Sequence, residues 1–450
     1  MSDSNVLLDG LAPIMNRVEA YNFLAVAPPP RDSDFWSGSL EQRIEHLDTI
    51  NGVFVPNDAH FNVFRLMQRA MRAGLKRRDP SSPMVMGLLH ETGAAVARNI
   101  GHLNDPCLVA PRKSFAAAGL FLNGPTGIGK TTLTNRFRDH LPGAREIKSI
   151  GGRPCSVIQI YVVQVKCPSN GTILGLMHAC LQEIDRLTGD TKYAEQAIRK
   201  NLSRDVCEAL LISVLLRHFV GLLIIDDIQY LLKVPHATDV LLGSICSLME
   251  TAGVPVLTVG TYAAQRVVDA KSALGAKLLS EADEQLDAIA PGKSWTQLCI
   301  AIWAQRVSHW ELPMPDWFPL EAHFHTAGIV RVLRILMKRF LGLMAEGRIT
   351  EVTADALSSC AEKCLRSYRR PLAAARRREV GDKLTDDELA EYEDFLPPDE
   401  PYIKPSKERR ELQKIADRVA HVRKAEASRL IDEEKKWAES EPRHEGAEAA

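Results

Sequence analysis

The sequence predicts an open α/β fold, a parallel sheet flanked by helices, followed by a small all-helical lid and terminal extensions. Three observations carry that prediction. From Ser114 onward, short apolar runs alternate with longer segments of helical period, the signature of strands joined by crossover helices. One of the runs, "GLFLN", leads at once into the glycine-rich "GPTGIGKT" and then into helix-forming residues. Another, "GLLIIDD", is apolar until it ends on two adjacent carboxylates, Asp226 and Asp227, which repel each other unless a cation lies close by.

A chain of 450 residues exceeds one comfortable core, so two compact units with extensions are expected. Apolar residues make up 45% and charged residues 25%, ordinary values for a soluble protein. The formal charge of -1 neither favours nor excludes a polyanionic partner, because net charge hides local imbalance. No apolar run reaches the roughly 18 to 20 residues of a membrane helix, and "MSDSNVLLDG" lacks the basic-then-apolar order of a secretion signal. A cytoplasmic protein with no membrane partner is expected. Cys155, Cys180, Cys246 and Cys299 lie inside apolar segments, where a thiol packs as a small hydrophobe. Cys360 and Cys364 share a helix face, but no His or further Cys pair stands at zinc-ligand spacing, so no metal is expected there.

Residues 1–112 read as an N-terminal extension, broken by the prolines of "APPPRDS". In "HFNVFRLMQRAMRAGLKRRDP" Phe61, Phe64, Met67 and Met71 fall at helical spacing. Arg65, Arg69, Arg72, Lys76, Arg77 and Arg78 make the other side basic, a face either solvated or suited to tracking phosphates. Residues 113–292 hold the α/β core, with "AAGLFLN", "SVIQIYVVQV", "GLLIIDD" and "VPVLTVGT" as its strands. Residues 293–375 read as helical throughout and form the lid. Residues 376–450 are a charged tail, in which "LPPDEPYIKPSK" is a linker and a later helix carries a thin stripe of Leu412, Ile415, Val419, Val422 and Leu430 that needs a partner.

Gly124 to Thr131 fit G-x-x-x-x-G-K-[ST] at every fixed position, between a strand and a helix as phosphate binding requires. The expected cradle is Gly124, Pro125, Thr126, Gly127, Ile128, Gly129, Lys130, Thr131 and Thr132. Its glycines let successive N–H groups turn inward onto phosphate oxygens, and the helix amino terminus adds partial positive charge. Lys130 supplies a point charge to the outer phosphates and Thr131 a hydroxyl to Mg2+. Ligands of open α/β sheets lie at the carboxyl ends of the strands. Asp226 is thus placed to hold the nucleotide's Mg2+, mostly through water, and Asp227 to polarise an attacking water. Thr261, at the end of "VPVLTVGT", is expected to bond that water or the outermost phosphate, with Thr258 as the alternative. In "TAGIVRVLR" Arg331 and Arg334 stand near a helix start; Arg331 is the preferred arginine to reach over the nucleotide and couple it to the lid, against the alternative of a plain surface residue. ATP and Mg2+ are the expected ligands.

In combination these residues resemble AAA+ ATPases, and specifically the TnsC/TniB-type regulators of DNA transposition in Tn-seven-like transposons. The resemblance covers roughly residues 20–375. Its marks are "LNGPTGIGKTT", "VQVKCPSNGT", "GLLIIDDIQYL", "GVPVLTVGT", "SWTQLCIAIWAQ" and an amino-terminal "AYNFLAVAPP" followed by "MRAGLKRRDP". It implies an ATP-dependent homo-oligomer, a ring or helical filament, on double-stranded DNA. It further implies loading by a target-selecting protein of the TniQ/TnsD type and recruitment of transposase and endonuclease subunits of the TnsB/TnsA type, for which the charged tail is the expected dock. By the same resemblance the loop after the second strand faces DNA, bringing Lys166, Ser169 and Asn170 to phosphates, with Thr191 and Lys192 of "TGDTKY" as further contacts. Such contacts position a duplex without reading bases.

Two departures from that family stand out. Asp227 occupies a position usually held by Glu, which shortens the reach of the carboxylate by about one methylene and predicts slow hydrolysis, since a misplacement of about 1 Å can cost about 10²-fold. After the fourth expected strand the family tends to place arginines that reach a neighbour's nucleotide, whereas this chain has only Lys271 and Lys277 beyond Arg266; lysine lacks the bidentate fork. The competing readings are another AAA+ DNA remodeller, such as a helicase loader or replication initiator, and a P-loop kinase acting on a small molecule. A missing winged-helix pattern after the lid counts against the first, and extra mass in terminal extensions rather than around a substrate pocket counts against the second.

Overall fold

A computed structural model describes residues 5–397 apart from 29–30, 32, 102–114, 116, 151, 190, 234, 269–272, 309–312 and 380. Lys271, nearly all of the expected linker and the apolar-striped helix of the tail lie outside the described residues. The seven strands among the described residues are β1 (Gly119–Asn123), β2 (Ala144–Ile150), β3 (Arg153–Ile160), β4 (Val162–Lys166), β5 (Leu222–Asp226), β6 (Val256–Val259) and β7 (Ala282–Gln285). Five of them form one sheet in the order β4-β5-β6-β1-β7, and every pairing in it is parallel. β1, β5 and β6 are buried at every position, because helices cover both faces of a parallel sheet, and they therefore read as unbroken apolar runs.

Two features of the sheet differ from the sequence expectation. The run "SVIQIYVVQV" is not one strand. It breaks at Tyr161: β3 pairs antiparallel with β2 in a separate hairpin, while β4 joins the main sheet beside β5. The break is fixed by the chain crossing next to it, where the Ile160 N–H donates to His218 and the carbonyls of Ile160 and Tyr161 accept from Gly221 and Leu222. An apolar run keeps its period through such a bend, so sequence pattern does not reveal it. β7, "ADEQ", carries no strand signal in the sequence. It is a short edge strand with alternating exposure, and its acids are the kind of residue that blunts a sheet edge against further pairing.

Helix Asp58–Arg77 packs its apolar side, including Phe64, Met67 and Met71, toward the core, with the Phe64 and Phe137 ring centroids 5.5 Å apart. The basic side holds as expected for Arg65, Arg69 and Lys76, but not for Arg78, which is fully buried. Its Nε donates to the Gly74 carbonyl at 3.2 Å and one terminal nitrogen to the Val220 carbonyl at 2.6 Å, and burial pulls the guanidinium down to about 9. Arg78 thus ties the end of this helix to the entry of β5.

From 293 to 364 the described residues hold four helices, Lys293–Trp303, Phe318–Thr326, Val330–Ala345 and Ala354–Cys364. Trp303 packs its ring 4.9 Å from that of Phe318, and the Trp295 N–H donates to the Pro319 carbonyl at 2.7 Å. This helical region also grips the N-terminal extension: Arg334 donates to the Val53 carbonyl and Lys338 pairs with Asp48, each at 2.6 Å.

Asn57 and His60 cap helix Asp58–Arg77 reciprocally; Asn57 Oδ1 accepts the His60 N–H and His60 Nδ1 accepts the Asn57 N–H, both at 3.1 Å. The ring is 4% exposed, so burial pulls it down to about 4. In the unfolded chain it titrates near the ordinary histidine value of 6.5. Below pH 6.5 the unfolded chain gains a proton that the folded chain refuses until about 4. This contribution to stability is therefore complete above pH 6.5 and is lost as pH falls toward 4, by roughly 3 kcal/mol. His60→Gln keeps a capping side chain at this position and removes the titration. Denaturant midpoints at pH 7.5 and pH 5 should differ less in His60→Gln than in the native protein; equal differences would refute the assignment.

Candidate nucleotide-binding site

The carboxyl ends of β1, β5 and β6 converge on a cleft of about 280 Å3. Lining it are Thr126, Gly127, Gly129, Lys130, Thr131 and Thr132 from the glycine-rich loop and following helix, Asp226 and Asp227 from β5, and Gly260 and Thr261 after β6. The strand order sets this geometry, since β6 lies between β1 and β5 and holds the loop and the two acids one strand apart on either side.

The loop turns into helix Lys130–Asp139 through backbone that only glycine adopts easily. Gly127 has φ +80°, and a Cβ there would lie 2.7 Å from Cβ of Arg331. Gly124 has φ +147°, and its Cβ would lie 2.1 Å from the Leu286 carbonyl oxygen. Pro125 and Ile128 act through the backbone and the core respectively: the Pro125 carbonyl accepts from Lys130, and Ile128 is buried. Lys130 is 8% exposed. Its ammonium donates to the Gly124 and Pro125 carbonyls at 2.8 and 2.9 Å, and burial pulls it down to about 8 against the opposing pull of Asp226, Asp227 and Asp394.

Thr131 and Asp226, the two expected metal ligands, meet directly; the hydroxyl donates to Asp226 Oδ2 at 2.7 Å. Asp226 is 2% exposed. Burial raises its pKa, with the Thr131 hydrogen bond opposing and the neighbouring Asp227 adding to the rise. A buried carboxylate of this kind, paired with a threonine hydroxyl beside a lysine, is the hard-oxygen donor set that Mg2+ takes alongside phosphate and water. The residues present therefore fit a magnesium nucleotide.

Asp227 has φ +59°, in the left-handed region where Asp is among the better tolerated side chains. Its carboxylate accepts from Gln229 Nε2 at 3.1 Å and lies 3.6 Å from Lys166 Nζ. Gln229 also accepts the Thr261 N–H at 3.3 Å, so it spans the acid and the threonine. Between Thr258 of β6 and Thr261 after it the structure distinguishes clearly. Thr258 is fully buried and its hydroxyl is spent on the Leu120 carbonyl at 3.2 Å, whereas Thr261 lines the cleft. Arg331 lies over the loop, its backbone N–H donating to the Gly127 carbonyl at 3.0 Å. Arg334 lines the cleft as well, with Asn51, Ile335 and Lys338.

The expected DNA contacts fall in two places. Lys166 ends β4, and Ser169 and Asn170 are exposed in the turn after it. Thr191 and Lys192 lie past the far end of helix Ile173–Thr188, whose 16 residues span about 24 Å. The structure does not bring the two groups together. Thr191 is half-buried and donates to Asp185 at 2.7 Å, a local anchoring role, while Lys192 is exposed beside Glu195. Of the cations after β6, Arg266 pairs with Glu393 at 2.8 Å and Lys277 with Glu250 at 2.6 Å.

Sequence reasoning missed Asn51, Gln229, Lys338 and Asp394 at this site. Gln229 follows the paired acids in "DDIQ", where the sequence gives a glutamine no role; the others come from segments distant in the chain and carry no local signal. A second cavity, about 480 Å3, lies beside Arg138, Gln164 and Arg186. Both of its arginines are ion-paired with neighbouring acids, Asp139 and Glu183, and it shares no residue with the cradle. Among the described residues no group of three His, Cys, Asp or Glu forms a metal cluster, and no helix is long and apolar enough to cross a membrane.

Comparison with known proteins bears on the fold. Residues 113–268 match the family model described as AAA domain. Comparison with curated proteins finds no match. Among solved structures, the ORC2 protein of Aeropyrum pernix in its ADPNP-ADP complexes is 16% identical over 68% of this chain and 78% of that one, with a TM-score of 0.36. CDC6p from Pyrobaculum aerophilum is 12% identical over 70% and 87%, with a TM-score of 0.38. Domain III of the Thermotoga maritima replication initiation protein DnaA is 14% identical over 63% and 93%, with a TM-score of 0.31. At these TM-scores the likenesses carry no conclusion about function. The match of residues 113–268 to the AAA domain model, the parallel five-stranded sheet and the loop between β1 and its helix agree on one fold, that of an AAA+ P-loop NTPase, followed by a helical region.

Proposed function

We propose that this chain is an ATP-dependent switch that assembles on target DNA and regulates transposition, linking a target-selecting protein to the transposase and resetting on hydrolysis. The observation that carries the nucleotide part is the contact of Thr131 with Asp226 at the foot of a buried Lys130. The transposition part rests on the combination of sequence marks around that site, which resembles TnsC/TniB-type regulators. In this reading Lys130 and the loop N–H groups hold the phosphates, and Thr131 and Asp226 hold Mg2+, which neutralises developing charge when bound. Asp227 orients the attacking water, and Thr261 bonds that water or the terminal phosphate. Arg331 and Arg334 transmit occupancy to the helical region. Lys166, Ser169 and Asn170 contact DNA phosphates, a salt-sensitive and sequence-independent mode of binding.

Removing the metal-facing carboxylate tests the first part. Asp226→Asn should weaken ADP binding at least tenfold in Mg2+ while changing it little in EDTA, as loss of a metal partner commonly costs 10 to 100-fold. Calorimetric titration under both conditions decides it, and an equal loss in both would remove the metal role. Steady-state turnover of Asp227→Glu tests the short acid; the rate should rise several-fold and at most about 10²-fold, and an unchanged or lower rate ends that explanation. Particle size, measured with duplex DNA and a nonhydrolysable ATP analogue, tests assembly. Growth that requires both ligands supports the switch. A constant monomer favours a small-molecule kinase, and growth with nucleotide alone removes DNA from the reading.

A further inference from the structure

The nucleotide cleft holds one contact that the phosphate motifs do not require. Residues 384–397 return to it from a distant part of the chain. Thr385 caps the short helix Asp386–Glu391 in a reciprocal box with Glu388. Past that helix the Phe395 ring stands edge-on to Tyr368 with centroids 6.2 Å apart, and Leu396 is buried. Between helix and anchors, Glu393 pairs with Arg266 at 2.8 Å. Asp394 then touches the site twice. Its carbonyl accepts the Thr126 N–H of the glycine-rich loop at 2.8 Å, and its carboxylate accepts the Thr261 hydroxyl. The same carboxylate acts on Lys130, joining Asp226 and Asp227 around one ammonium.

The chemistry of the segment is that of a polyanion. Asp386, Asp387, Glu388, Glu391, Glu393 and Asp394 lie within residues 384–397, a stretch without a single Lys or Arg. A loop that only covered apolar surface would gain nothing from carrying a carboxylate to a threonine at the end of β6 and a carbonyl to the phosphate loop. A terminal phosphate would seek the same partners, a hydroxyl and a lysine.

We propose that residues 384–397 are a tethered competitor for the outer end of the cleft, in which Asp394 occupies Thr261 in place of the terminal phosphate of a nucleoside triphosphate. The proposal rests on the reading of the cleft as a triphosphate site. Two consequences follow from elementary chemistry. Thr261 has one hydroxyl proton, so while it is donated to Asp394 it is not available to phosphate or water. A triphosphate also brings negative charge against Asp394, and like charges in a partly desolvated site repel. A diphosphate stops short of Thr261 and meets less of this opposition. The segment therefore selects against triphosphate until it moves, and its displacement reports which nucleotide is bound.

The test uses the full-length protein, with ADP and the β,γ-imido analogue of ATP, each with Mg2+. Asp394→Asn removes the charge and keeps an acceptor for Thr261, while Phe395→Ala loosens the anchor without touching the cleft. Both variants should bind the triphosphate analogue about tenfold more tightly and ADP within twofold of the native protein. In the native protein, hydrogen exchange of amides 385–397 should speed up on adding the analogue and not on adding ADP. Unchanged analogue affinity in both variants, or exchange that slows or stays constant with the analogue, overturns the competitor while leaving the nucleotide site standing. Native protein that binds neither nucleotide overturns both.

Discussion

A carboxylate buried at the end of an apolar strand is costly unless positive charge meets it, and Asp226 is such a group. The rest of the site is arranged around that constraint. Burial pushes Asp226 toward its neutral form, opposed by the Thr131 hydroxyl and by Lys166, and pulls Lys130 toward its own, opposed by Asp226 and Asp227. The Thr131 hydroxyl and the Asp227 N–H satisfy the carboxylate oxygens directly. This local balance needs β5 and the loop after β1 in fixed relation, and the insertion of β6 between the two strands supplies it. The fully apolar interior of β1, β5 and β6 is thus the scaffold on which two opposite charges are held at the sheet's edge.

Coupling out of that site runs through backbone as much as through side chains. The first turn of helix Val330–Ala345 gives an N–H to the Gly127 carbonyl, and Gly127 is too closely approached by Arg331 to carry a side chain. The same helix holds Val53 through Arg334 and Asp48 through Lys338. Loop, helical region and N-terminal segment therefore share one helix as their common contact. A shift of the glycine-rich loop on binding phosphate has a direct path to a residue nearly eighty positions upstream of it.

How far the sequence foretold this depends on the range of each signal. The cradle, the strand ending on Asp226 and the helical character of the lid were legible because motif and periodicity are local. Thr261 could be narrowed only to a choice with Thr258, since both lie in one apolar run and only three-dimensional burial separates them. Arg78 reads as one more member of a basic face, yet just past the last turn of the helix it points into the body of the protein and caps the entry to β5. The break at Tyr161 left the apolar pattern intact, and β7 was too short and polar to register. Asp394 had no signal at all, because its partners lie more than 130 residues away and its own neighbourhood reads as solvated acid.

The shortness of Asp227 gains a structural context from its neighbours. Its backbone sits at φ +59°, a region more accessible to Asp than to longer side chains, and its carboxylate is held from one side by Gln229 and approached from the other by Lys166. Gln229 in turn holds the backbone of Thr261. Acid, glutamine and threonine therefore form one hydrogen-bonded link across the ends of β5 and β6, and that link fixes where the carboxylate stops. A longer acid would extend the reach toward a water in the cleft but would have to re-form the link. The geometry thus trades reach for rigidity in the carboxylate that lines the cleft.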